Sequence, residues 1–240
     1  MGLFDNFNGR LPRGQQESSK AEQAKKDLEM VKKDWKALQW VREQTPEICL
    51  AAVQQDGEAL RYVKKRTPEI CLVAVQQNGW ALQWVREQTP EICLTAIQCN
   101  GYALQFVKEQ VPEICMEAIR WKPGALEFVE KQSPYICLAA VKRNGWTLKY
   151  VERQTPEICM AAVKQDGMAL RWVKNQTPEI CMVAVQQNGY ALQYVEEQTK
   201  EVYMVAVQED ENAIKFIRDP EMKKQVEKAL QEQVSTMSVF

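Results

Sequence analysis

Apolar residues recur along this chain in two interleaved stripes, and both return every 22 residues. In the unit that starts at Thr45, Ile48, Cys49, Ala52 and Val53 fall on one face at helical spacing, while Glu47, Ala51, Gln54 and Gln55 point elsewhere. Thr45 offers a capping hydroxyl, Pro46 suits the first helical position, where no amide donor is needed, and Glu47 complements the positive helix end. A helix therefore begins here, and Gly57 is expected to end it in a left-handed cap. A second stripe, Ala59, Leu60 and Val63, follows at once and stops before the next Thr-Pro, because a residue preceding proline resists helical dihedrals. Each unit predicts two short helices.

Copies begin at Thr45, Thr67, Thr89, Val111, Ser133, Thr155, Thr177 and Thr199 and run to about Pro220. A helix of about ten residues is only about 15 Å long and is unstable alone, so the units must stack on their neighbours. The expected fold is all-α: a solenoid of eight helical hairpins over residues 45–220. Residues 18–44 read as one amphipathic capping helix with Leu28, Val31, Trp35, Leu38 and Val41 on its stripe. At the far end the pattern decays through Lys200, Tyr203 and Glu211 into a charged capping helix and tail over 221–240. Residues 1–17 have no period and are expected to form a flexible arm.

Composition narrows the chemistry. Among 240 residues there are 31 basic and 32 acidic side chains and no histidine, which removes histidine-based triads, the usual zinc ligand sets and histidine switches. A net charge of -1 gives no global pull toward nucleic acid or anionic lipid. No apolar run is long enough to span a membrane, and the start lacks a signal-peptide core, so a cytoplasmic protein is expected. No phosphate loop, dinucleotide fingerprint or calcium loop occurs, and no cofactor or metal is expected.

Cys49, Cys71, Cys93, Cys115, Cys137, Cys159 and Cys181 keep the repeat register, on the face shared with Ile48 and Ala52. Neighbouring copies should lie about 10 Å apart, too far for disulfides, so they read as small buried hydrophobes in a reducing compartment. Cys99 stands where other units have an exposed glutamine, as a reactive surface thiol or as drift. The glutamates at Glu47, Glu69, Glu91, Glu113, Glu157, Glu179 and Glu201 occur once per unit in a first helical turn, and that role suffices without catalysis.

The aromatic residues are the stronger candidates. One column runs Trp40, Tyr62, Trp84, Phe106, Phe128, Tyr150, Trp172, Tyr194 and Phe216, and should pack between units. Four residues earlier runs another, rich in Trp80, Tyr102, Trp146, Met168 and Tyr190, on what an α-helical wheel makes the same ridge. That wheel puts the Trp80 column about 145° from the stripe centre, so it is either covered by the adjacent repeat or an exposed ladder that anchors a protein or peptide. The fourth copy departs most: Glu117 replaces a small residue, and Arg120, Trp121, Lys122, Pro123 and Gly124 replace the usual turn, which reads as displaced by one residue. It is a bend, or a contact surface in which Trp121 sits between Arg120 and Lys122. Arg120, Lys142 and Lys164 add a modest basic column.

The phrase ALQWVREQTPEICLAAVQQDG and its echoes resemble the tandem repeats of domain-of-unknown-function family 4116, from about Trp35 to Pro220. The likeness departs at Val111, at the Lys122 to Gly124 turn and from Lys200 onward. It implies the repeat architecture and names no activity. The residues thus point to a non-enzymatic scaffold that binds a protein or peptide through Trp80, Tyr102, Trp146 and Tyr190. The alternatives are a single-stranded RNA binder, against which the charge argues, and a self-assembling spacer.

Overall fold

The computed structural model describes residues 13–237, with side chains over 17–229. Its α-helices are α1 (Arg13–Lys33), α2 (Pro46–Gln55), α3 (Pro68–Gln77), α4 (Pro90–Cys99), α5 (Pro112–Trp121), α6 (Pro134–Arg143), α7 (Pro156–Gln165), α8 (Pro178–Gln187), α9 (Lys200–Glu209) and α10 (Pro220–Met237). Among the described residues there is no strand. The chain divides into two compact units, one ending at Lys108 and the other beginning at Glu109. Each is an all-α repeat solenoid in which every repeat helix packs on the next.

The second element of each repeat is a six-residue 3₁₀ helix, such as Gly57–Tyr62, and not the α-helix that the apolar stripe suggests. Three residues per turn put Ala59 with Tyr62 on one side, Leu60 with Val63 on a second, and Glu58 with Arg61 on the third. Two of the three sides carry core residues: Ala59, Leu60 and Val63 are all buried, together with Ile48, Cys49, Ala52 and Val53 of α2.

Gly57 is not a left-handed cap, since no residue in the described chain has positive φ. The helix ends instead at Asp56, an extended residue whose carboxylate accepts from the Glu58 amide at 2.9 Å and so opens the 3₁₀ turn. Asn78, Asn100, Asn144, Asp166, Asn188 and Asp210 repeat that cap. Asp34 does the same, which breaks the single capping helix expected over 18–44. α1 ends at Lys33, and Trp35–Trp40 is a 3₁₀ segment, so α1 heads another α/3₁₀ pair. α1 also takes in residues 13–17 of the expected arm, while residues 1–12 and 238–240 lie outside the described residues. α10 is the terminal helix expected from about 221.

The turn of the fourth copy is not displaced. Lys122 occupies the register of Asp56, and Pro123–Phe128 is a 3₁₀ segment that starts where the others do. Pro123 is tolerated at a first helical position, where its missing donor costs nothing within the helix. What the copy lacks is capping: neither Val111 nor Lys122 makes the side-chain bond that Thr45 makes to the Ile48 amide at 3.3 Å. Val111 has the same extended conformation as the capping threonines, with φ -80 and ψ 153. Val111→Thr should therefore raise stability by about 1 kcal/mol, read as an upward shift of the urea midpoint.

Candidate functional site

Because i and i+3 eclipse in a 3₁₀ helix, Trp80 shares its side with Gln83 and not with Trp84. That side is open. Trp80 and Trp146 are each 37% exposed, while Tyr102, Met168 and Tyr190 are half-buried. The two aromatic columns do not form one ridge. They meet across repeats, Trp80 edge-on to Phe106 at 5.6 Å and Tyr190 edge-on to Phe216 at 5.6 Å. Covering and exposure therefore hold together: one edge of each ring is held by the next repeat, and the rest faces outward. The Tyr62 column is half-buried from Tyr62 onward, whereas Trp40 is 74% exposed.

The polar partners on this side differ between the two units. Below Lys108 they include Gln83 and Gln105, whose amides fold back on the Trp80 and Tyr102 carbonyls at 3.1 Å each, and Arg61, whose guanidinium lies 4.8 Å from the Tyr62 ring centre. Beyond Glu109 they are mostly cations. The Arg171 guanidinium lies 5.8 Å from the Trp146 ring centre and 4.7 Å from that of Trp172, and the Lys215 ammonium lies 4.6 Å from that of Tyr190. The Trp146 indole N–H donates to Asp166 of the next repeat at 2.5 Å, which fixes the ring's orientation.

Trp121, Arg120 and Lys122 are exposed, Trp121 by 53%, but they belong to the end of α5 and not to the 3₁₀ side that carries Trp146. Glu117, the misfit of that copy, holds two of them: Trp121 Nε1 donates to its carboxylate at 2.8 Å, and Arg120 Nη1 lies 3.8 Å from the other oxygen. Lys142 and Lys164 flank a groove of about 430 Å³ between α6 and α7, floored by Leu138, Met160 and Ala161. Leu50, Leu72, Leu94, Met116, Leu138, Met160, Met182 and Met204 keep one register and are all half-buried, an apolar column that a core-directed wheel reading overlooks.

All eight cysteines are free, and seven are buried. Burial pushes those seven thiols above their ordinary pKa, which keeps them protonated. Six of them donate to a glutamine Oε1 in a way the pattern does not announce. Gln132 donates from Nε2 to the Leu126 carbonyl at 3.4 Å and to the Tyr150 carbonyl of the next repeat at 2.9 Å. Its Oε1 accepts from the Glu152 amide at 3.1 Å and from the Cys137 thiol at 3.5 Å. Gln44, Gln88, Gln110, Gln154, Gln176 and Gln198 make the same bridge to the following repeat. Cys99 is exposed, and its sulfur accepts from the Gly79 amide at 3.3 Å, the role that Gln165 and Gln187 play for Gly145 and Gly167. Pro123 has no such amide to give, and position 143 is correspondingly a donor, with Arg143 Nη2 on the Arg120 carbonyl at 2.9 Å.

Among the described residues no group of histidine, cysteine, aspartate and glutamate side chains could hold a metal ion, and no helix is long and apolar enough to cross a membrane. The repeat geometry defines a helical repeat protein of the solenoid class. The model of the family described as Domain of unknown function (DUF4116) matches residues 45–88, 89–132 and 134–177, each match spanning two α/3₁₀ pairs. The chain belongs to that family. No curated protein and no solved structure matches it.

Proposed function

We propose that the protein is a non-enzymatic scaffold that binds a protein or peptide in the cytoplasm, where its thiols stay reduced, along the open side of the 3₁₀ helices. One observation carries this reading: Trp80 and Trp146 are each clamped at an edge by the next repeat yet keep 37% of their surface. Rigid, half-exposed rings lose little entropy on burial and make good anchors. Beyond Glu109 the side combines Trp146, Met168 and Tyr190 with Lys149, Arg171 and Lys215, which suits a partner bearing apolar side chains interspersed with carboxylates. Near-neutral net charge favours this over a nucleic-acid strand.

The test compares wild type with the triple variant Trp80→Ala, Trp146→Ala, Tyr190→Ala in a quantitative pull-down, with circular dichroism and melting followed in parallel. The variant should keep its helical signal and lose a protein that wild type retains. A folded variant that retains every partner of the wild type refutes the reading.

A further inference from the structure

Seven of the eight glutamine bridges are made, and the missing one leaves a cavity of a distinct kind. At the register of Gln44 the second copy has Arg66, which turns back on its own repeat: Nε donates to the Leu60 carbonyl at 3.1 Å and Nη2 to the Arg61 carbonyl at 3.2 Å. At this register no side-chain hydrogen bond is made to the next repeat. The Arg86 amide, whose counterparts at Lys64, Lys108, Glu130, Glu152, Lys174, Glu196 and Arg218 all bond a glutamine Oε1, has no acceptor among the described residues. The Cys71 thiol likewise lacks the oxygen that Cys49 finds on Gln44 at 3.9 Å.

The space left is about 280 Å³, and Lys64, Lys65, Arg66, Cys71, Arg86 and Glu87 are among the residues that line it. The equivalent space at Gln176 measures about 150 Å³ and faces Glu196 and Glu197. The two sites share a fold register and differ in size and in sign. Lys64 is committed to the Val41 and Arg42 carbonyls at 3.2 and 2.9 Å, but Lys65, Arg66 and Arg86 join no ion pair among the described residues. Burial and the neighbouring Arg86 charge pull the Arg66 pKa down, as expected of a guanidinium that lacks a counter-charge.

We propose that this cavity binds a phosphate-class oxyanion, one oxygen of which takes the place of the absent glutamine Oε1 on the Arg86 amide while Arg66, Arg86 and Lys65 neutralise its charge. The arrangement has what such a site needs: a fixed backbone donor, a guanidinium held by its own repeat with Nη1 still available, and room for a tetrahedral group. A carboxylate at Glu87 opposes binding and is outnumbered by Lys65, Arg66 and Arg86, three cations that join no ion pair among the described residues. The inference does not depend on the aromatic side, which lies on different residues.

The experiment is a titration of the full chain, labelled with ¹⁵N, with inorganic phosphate and separately with O-phosphoserine at constant ionic strength set by chloride. The Arg86 amide resonance should shift and saturate, whereas the Glu196 amide should not move. Response to both probes places a phosphoryl group of any origin in the cavity, and response to inorganic phosphate alone assigns the site to the free ion. Arg66→Gln restores the residue found in the seven other copies, so it should fold and melt at or above the wild-type temperature. It should bind phosphate about ten-fold or more weakly, the scale of one lost charge-assisted contact. An Arg86 amide that stays still with both probes, or that saturates equally in Arg66→Gln, overturns the proposal.

Discussion

Gly79→Ala is expected to destabilise the chain by about 3 kcal/mol, although helix propensity by itself favours alanine by up to about 1 kcal/mol. An added Cβ would stand 2.5 Å from the Ala96 carbonyl oxygen, 3.1 Å from Asn100 Cβ and 3.2 Å from the Asn100 amide nitrogen. These atoms are mostly backbone of the next repeat, so no rotamer change relieves the contact and the repeats must move apart. The glycine is there for closeness and not for its dihedral freedom, since its φ is negative like every other in the described chain. Gly57, Gly145, Gly167 and Gly189 meet the Ala74, Ala162, Ala184 and Ala206 carbonyls in the same way. Glu211 ends the series where α10, and no further repeat helix, follows. The check is a urea titration of Gly79→Ala beside wild type; a change under about 0.5 kcal/mol would mean the interface between repeats is soft.

The reason the first helices are legible while the second elements are not is physical. Thr45, Pro46 and Glu47 act within a few residues of themselves, so the cap bond to the Ile48 amide and the start at Pro46 follow from local chemistry. The same holds for the buried column of Ile48, Cys49, Ala52 and Val53. Over six residues, however, Ala59, Leu60 and Val63 satisfy an α-helical and a 3₁₀ period equally well; the Asp56 carboxylate that bonds two residues ahead supports the 3₁₀ start, although Pro123–Phe128 takes the same form without such a cap. The aspartate or asparagine at that register is visible in nearly every copy, Asp34 included, and would have revealed both the 3₁₀ turns and the break in the N-terminal helix.

The aromatic side depends on that choice. An α wheel sends Trp80 and Trp84 along one ridge, whereas the 3₁₀ turn separates them by a third of a revolution. Trp84 then goes to the packed side with Ala81, and Trp80 goes to the open side with Gln83. Trp121 with Arg120 and Lys122 needed no such correction to be seen as exposed. That Glu117 clasps the first two is a contact one helical turn apart, i to i+4 and i to i+3, which spacing alone could have suggested. The bridging glutamines are the opposite case. Nothing local in the sequence marks Gln132, because the carbonyl and amide it serves lie 18 and 20 residues further on.

Gln132→Met, which keeps the length of the side chain and removes its amide, should cost about 3 kcal/mol. The substitution leaves the Tyr150 carbonyl, the Glu152 amide and the Cys137 thiol without their partner, and groups only partly open to water pay most of the penalty of an unmade bond. The loss should be cooperative across the joint between two repeats, because one side chain ties the turn after Leu126 to the end of the next 3₁₀ helix. Native hydrogen exchange should show it as faster exchange at the Glu152 amide, with the Lys174 amide, held by Gln154, less affected. Arg66 is the natural experiment in the same column. There the chain gives up the bridge and satisfies Leu60 and Arg61 from within one repeat, so Gln132→Arg should recover part of what Gln132→Met loses by bonding the Leu126 carbonyl. A methionine variant as stable as wild type, with unchanged exchange at Glu152, would mean that apolar stacking alone holds the repeats together.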